Sequence, residues 1–129
     1  MVTDTPGIHH ITGSVRDAQR NLDFYTGVLG LRLVKQTVNF NKIFTRHLFY
    51  GDGTGTPGTS LTFFPYPAEE DGRIGQPQIT TAALVVPPGS LEYWTDRLTA
   101  HDVEFVGPFE RFDETVLRFT DPDGPQLEL

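Results

Sequence analysis

The chain has 129 residues and a formal net charge of −7, with 17 acidic side chains against 10 basic ones. That balance disfavours nucleic acid and anionic membranes as partners. The absence of cysteine excludes disulfides and thiolate chemistry and suits a reducing cytoplasm. No apolar run approaches the roughly 18 residues of a membrane span, and no secretory signal is legible.

The first strand-like run is Ile8–Val15, which carries adjacent histidines. Side chains alternate across a strand, so Ile8, His10, Thr12 and Ser14 share one face, and His9, Ile11, Gly13 and Val15 share the other. A polar His10-Thr12-Ser14 stripe is unusual on a strand that should bury itself and points to a wet, functional face. A helix over 17–29 follows. Ala18, Leu22, Tyr25 and Leu29 form one stripe of a 3.6-residue period, with Asp17 as N-cap and Gly27 and Gly30 as candidate terminators. Strands are expected over Leu33–Phe40, Arg46–Gly51 and Ser60–Phe64, with the glycine-rich Gly51–Gly58 as a turn. That turn lacks the Gly-Lys-Ser/Thr ending and the following helix of a phosphate loop. Tyr66–Pro77, including the acidic run Glu69-Glu70-Asp71, reads as a polar, solvated link.

The second half repeats the first. Asn21-Leu-Asp-Phe-Tyr-Thr-Gly-Val-Leu29 is echoed by Ser90-Leu-Glu-Tyr-Trp-Thr-Asp-Arg-Leu98. A strand over Ile79–Val86 precedes that second helix, which runs over 90–101 with Ser90 as N-cap and Leu91, Trp94 and Leu98 as its buried stripe. Val103–Phe109, Thr115–Thr120 and Gln126–Leu129 complete the pattern. The expected fold is α+β: one domain over 1–129 built of two tandem βαβββ modules, about 7–66 and 77–129, each a curved mixed sheet with its helix on the outer face. Superposing the modules sets Thr80-Thr81 opposite His9-His10, and Glu128 opposite Thr62. The first module has the histidine without the glutamate; the second has the glutamate without the histidine.

Other residues have plain roles. His47, mid-strand, either lines the cavity or, more plainly, partners a neighbouring carboxylate, and His101 is expected at the surface at the end of the second helix. Phe40, Phe49, Tyr50, Phe63 and Phe64 fit either an aromatic wall for a ring substrate or core packing.

Ile8-His-His-Ile-Thr12, the stretch from Arg20 to Phe40, Leu61-Thr-Phe-Phe-Pro65 and Asp121-Pro-Asp-Gly124 together resemble the ring-cleaving dioxygenases that open hydroquinone-type substrates. These belong to the vicinal oxygen chelate superfamily, with the glyoxalases and the bleomycin- and fosfomycin-resistance proteins. The resemblance is to the amino-terminal half of such enzymes. It implies Fe(II), or alternatively Mn(II), held by two histidines and a glutamate, with open positions for substrate and O2. The resemblance maps His10 to the first metal ligand, with His9 and Thr12 as catalytic neighbours that position substrate or oxygen. Glu128 is a further candidate ligand if the two modules close one barrel, with a polar edge-strand residue as the plainer alternative. The partners implied are an aromatic small molecule, O2, and either a second copy of the chain or the absent half. The alternative function is a glyoxalase- or bleomycin-resistance-like protein that binds a small molecule without catalysis.

Overall fold

The computed structural model describes residues 4–70 and 72–129; Asp71 of the expected acidic link lies outside them. The chain divides into two compact units, Met1–Glu69 and Glu70–Leu129.

The first unit contains β1 (His10–Val15), α1 (Ala18–Leu22), a π-helical turn over Asp23–Val28, β2 (Arg32–Val38), β3 (Arg46–Gly51) and β4 (Ser60–Pro65). The second contains β5 (Thr81–Ala83), α2 (Leu91–Ala100), β6 (Phe105–Arg111), β7 (Glu114–Thr120) and β8 (Gln126–Glu128). The sheet orders are β1-β4-β3-β2 and β5-β8-β7-β6. In each, the first pair is parallel and the others antiparallel. The expected pair of βαβββ modules is therefore present, with the same strand order in both.

Local chemistry explains the departures at element ends. β1 starts at His10 rather than Ile8, because the His9 carbonyl is taken by the Gly58 amide at 2.7 Å, in the loop before β4. β5 is shorter than the expected Ile79–Val86. Leu84 still donates to the Glu128 carbonyl at 2.9 Å, but Pro87 and Pro88 have no N–H to extend the ladder.

Asp17 caps α1 as expected, its carboxylate accepting from the Gln19 and Arg20 amides at 2.8 and 2.9 Å. The first helix then widens. Leu29 N–H reaches back five residues to the Phe24 carbonyl, and the Thr26 hydroxyl donates to Leu22 O at 2.7 Å. Phe24 and Tyr25 are both buried within this wider turn. Leu22, expected in the buried stripe, is only half-buried, and Asn21 is buried instead. Gly30, at φ 70°, ends the segment, whereas Gly27 stays inside it. Ser90 precedes α2 but does not cap it with its side chain; its hydroxyl donates to Pro87 O at 2.6 Å. Of the stripe expected on α2 only Leu98 is fully buried.

Each core lies on one face of its sheet. In the first unit Val15, Leu48, Tyr50, Leu61 and Phe63 are buried together with Phe24, Tyr25 and Leu29. Tyr25 packs on Tyr50 and Phe63 at ring separations of 5.2 and 4.7 Å. In the second, Leu117, Phe119, Leu127 and Leu129 are buried, as is Leu98 of α2. Among the described residues no helix is long and apolar enough to cross a membrane.

Candidate functional site

Covering one face of the first sheet leaves the other for chemistry. The parallel register pairs His10 with Ser60 and Thr12 with Thr62; the antiparallel one pairs Thr62 with Phe49. Alternation puts His10, Thr12, Thr62, His47, Phe49 and Phe64 on the same side, opposite the helix. His10 and Thr12 are exposed there, while Thr62 is fully buried beneath its neighbours. The aromatic residues considered together in the sequence separate accordingly. Tyr50 and Phe63 belong to the core, Phe49 and Phe64 to the open face, and Phe40 is 89% exposed.

Two polar clusters form around these residues, one of them with His9, which precedes β1. In one, His9 Nδ1 and His10 Nδ1 lie 3.0 Å apart, with the rings edge to face. One nitrogen donates and the other accepts. When His10 donates, its Nε2 keeps a lone pair, and no protein group occupies it among the described residues. That is the state of a metal-ligating histidine whose other ring nitrogen is fixed by a neighbour. In the other cluster Thr62 Oγ1 lies 2.8 Å from Thr12 Oγ1 and 3.0 Å from His47 Nε2. The His47 ring sits 4.0 Å from both Phe49 and Phe64. Its partner is therefore a hydroxyl, not the carboxylate expected from sequence. Burial, followed by the positive charges of His10 and Lys35, pushes the His47 pKa below its ordinary value. His47, for which a place lining the cavity was one reading of the sequence, and Thr62, which was not singled out for the site, thus stand with His10 and Thr12 on this face. His101 caps the end of α2 and is exposed, as expected.

Glu128 stands in the second sheet where Thr62 stands in the first. β5–β8 pairs Thr81 with Gln126 and Ala83 with Glu128, so Thr81 matches His10 and Glu128 matches Thr62, the correspondence expected from the repeat. Its side chain is 2% exposed. Oε1 accepts from Arg118 Nε and Nη2 at 2.8 and 2.6 Å, and Oε2 accepts from Arg111. Burial raises its pKa, but the hydrogen bonds and charges of Arg118 and Arg111 outweigh that and hold it below the ordinary carboxylate value. A cavity of about 460 Å³ in this unit reaches Glu128, lined largely by apolar groups such as Val86, Leu91, Val116 and Leu129. Its lining includes no imidazole.

The imidazole of His10, exposed on this face, has donor chemistry that a metal ion could use. Among the described residues no three His, Cys, Asp or Glu side chains gather closely enough to hold a metal ion.

Relatives share the sequence or the fold. The chain is 48% identical over its whole length to "Putative ring-cleaving dioxygenase MhqO" of Bacillus subtilis, covering 41% of that protein. It is 36% identical over 119 residues, 91% of the chain, to chlorohydroquinone/hydroquinone 1,2-dioxygenase of Sphingobium indicum, covering 37% of it. The chain thus spans about two-fifths of the curated relatives it matches. The crystal structure of a "putative dioxygenase" from Bacillus subtilis superposes with a TM-score of 0.92 at 48% identity, over 98% of this chain and 41% of that one. Leishmania major glyoxalase I shares the fold alone, at a TM-score of 0.75 and 21% identity, over 97% of this chain and 86% of that one. Residues 7–129 match the model of one family, and by that match the chain belongs to the glyoxalase/bleomycin resistance protein/dioxygenase superfamily.

Proposed function

We propose that this chain forms part of a metal-dependent ring-cleaving dioxygenase acting on hydroquinone-like dihydroxylated aromatics, and that His10 is its metal ligand. The observation that carries the reading is the imidazole of His10 on the open polar face, with Nδ1 tied to His9 and Nε2 without a protein partner among the described residues. Kinship with proteins named for ring cleavage supports it. Fe(II), with Mn(II) as the alternative, would supply adjacent coordination positions for a substrate oxygen and O2. One histidine is too few for such a centre, so the other ligands come from outside the first unit.

His9 fixes the ring of His10. Thr12, one strand alternation away, presents a hydroxyl to a substrate oxygen, and Phe49 and Phe64 offer faces against which an aromatic ring packs. Glu128 remains a second candidate ligand, and to serve as one it must exchange at least one guanidinium for the metal. The second reading, a small-molecule binder without catalysis, draws on the same aromatic face and the single imidazole ligand.

Oxygen uptake separates the two readings. The iron-loaded natural protein that carries this chain is expected to consume O2 on addition of hydroquinone. Binding of hydroquinone without O2 consumption, at full iron occupancy, would establish the non-catalytic reading instead.

A further inference from the structure

We infer that His47 is a positioning residue whose Nε2–H donates to Thr62, and that Thr62 in turn donates to Thr12, leaving the Thr12 hydroxyl hydrogen directed to a substrate oxygen beside His10. The inference rests on the reading of this face as the substrate site.

The geometry is a chain of two contacts meeting at one buried atom. Thr62 Oγ1 is 2.8 Å from Thr12 Oγ1 and 3.0 Å from His47 Nε2, and Thr62 is 0% exposed. A hydroxyl has a single hydrogen. Enclosed between two partners, Thr62 donates to one and accepts from the other. The proton on His47 therefore decides the direction of the whole chain. With the proton on Nδ1, Nε2 accepts from Thr62, Thr62 accepts from Thr12, and Thr12 offers the open face only lone pairs. With the proton on Nε2 each bond reverses, and Thr12 becomes a donor toward that face.

The surroundings of His47 select the second arrangement. Phe49 and Phe64 flank its ring at 4.0 Å, and Nδ1 has no protein partner among the described residues. His47 is half-buried, so water reaches Nδ1 in either state. Neutral imidazole side chains in water already favour the proton on Nε2, and here that N–H meets the buried Thr62 hydroxyl, which holds it there. A phenolic or phenolate oxygen of a dihydroxylated ring is the acceptor that suits Thr12 as donor. His47 touches neither substrate nor metal in this scheme; it acts through Thr62.

Two measurements test the relay. Nitrogen-15 NMR of the imidazoles in the 129-residue chain at neutral pH is expected to show His47 almost wholly as the Nε2–H tautomer, with a larger Nδ1–H share in Thr62→Val. An Nδ1–H tautomer in the unsubstituted chain would overturn the inference, as would a tautomer ratio indifferent to Thr62→Val. In the iron-loaded natural protein, His47→Leu and Thr62→Val are each expected to raise KM for hydroquinone about fivefold with little change in kcat, consistent with one lost orienting hydrogen bond. His47→Gln, whose amide supplies the same donor, should recover most of that loss. The double variant should be no worse than either single one. Additive effects, or a loss confined to kcat, would also overturn it. If the unsubstituted protein consumes no oxygen, the dioxygenase reading falls, and the tautomer measurement alone decides the relay.

Discussion

Replacing Glu128 by Gln removes one charge and changes few atoms, and its consequences follow from the groups around it. The carboxylate is 2% exposed and accepts two hydrogen bonds from Arg118 and one from Arg111. Gln keeps one acceptor oxygen, which Arg118 can retain, and turns an N–H2 group toward Arg111. A lost charge-assisted bond inside a protein costs about 1.5–3 kcal/mol. Both arginines are more than one-third exposed, so water recovers part of that loss and the expected destabilisation is about 2 kcal/mol. With a urea m-value of about 2 kcal/mol/M, the unfolding midpoint should fall by about 1 M at unchanged slope.

The difference should also depend on pH. The folded carboxyl titrates below its ordinary value of 4.5. Its stabilisation is therefore complete above that value and is lost as pH falls through the lower folded one. The gap between wild type and E128Q should be constant from about pH 6 to 8 and shrink as the pH falls below 4.5 through the lower folded value. A midpoint shift under about 0.2 M at pH 7 would refute the ion-pair role. A tenfold loss of Fe(II) affinity in E128Q without destabilisation would favour Glu128 as a ligand instead.

Three further outcomes are expected. Tyr50→Phe removes the buried hydroxyl that donates to Asn21 Oδ1 at 2.8 Å and should lower stability by about 1 kcal/mol in urea melts. Gly13→Ala places a Cβ 3.0 Å from the Phe63 ring, whose packed position against Tyr25 resists movement, so thermal unfolding should report a loss of about 1–3 kcal/mol. Exposed Phe40, Ile43 and Phe44 add to the expectation that the chain self-associates; light scattering should return a dimer mass, and a monomer at high concentration would contradict it.

Much of this architecture is legible in the sequence because it depends on local patterns. The echo of Asn21–Leu29 in Ser90–Leu98 announces the repeated module, and strand alternation alone puts His10 and Thr12 on one face. The correspondence of Glu128 with Thr62 follows from the repeat and reappears in the strand registers. What stays hidden is non-local. Asn21 enters the core as the acceptor of the Tyr50 hydroxyl, Phe24 lies where the helix has widened, and the register of β3 against β4 brings His47 onto Thr62. Arg111 and Arg118 reach Glu128 from two neighbouring strands, a convergence that no spacing in the chain advertises. The paired threonines offered one usable clue, since a Thr facing a polar stripe across a parallel register forms a hydroxyl pair.

The role of His10 is tested most directly by His10→Ala in the natural protein that carries this chain, with iron occupancy and hydroquinone-dependent oxygen uptake measured on the same samples. If His10 ligates the metal, wild type binds Fe(II) and consumes oxygen, while His10→Ala keeps the folded far-ultraviolet spectrum and loses both. Retention of bound iron and of oxygen uptake by the folded His10→Ala protein would contradict the assignment.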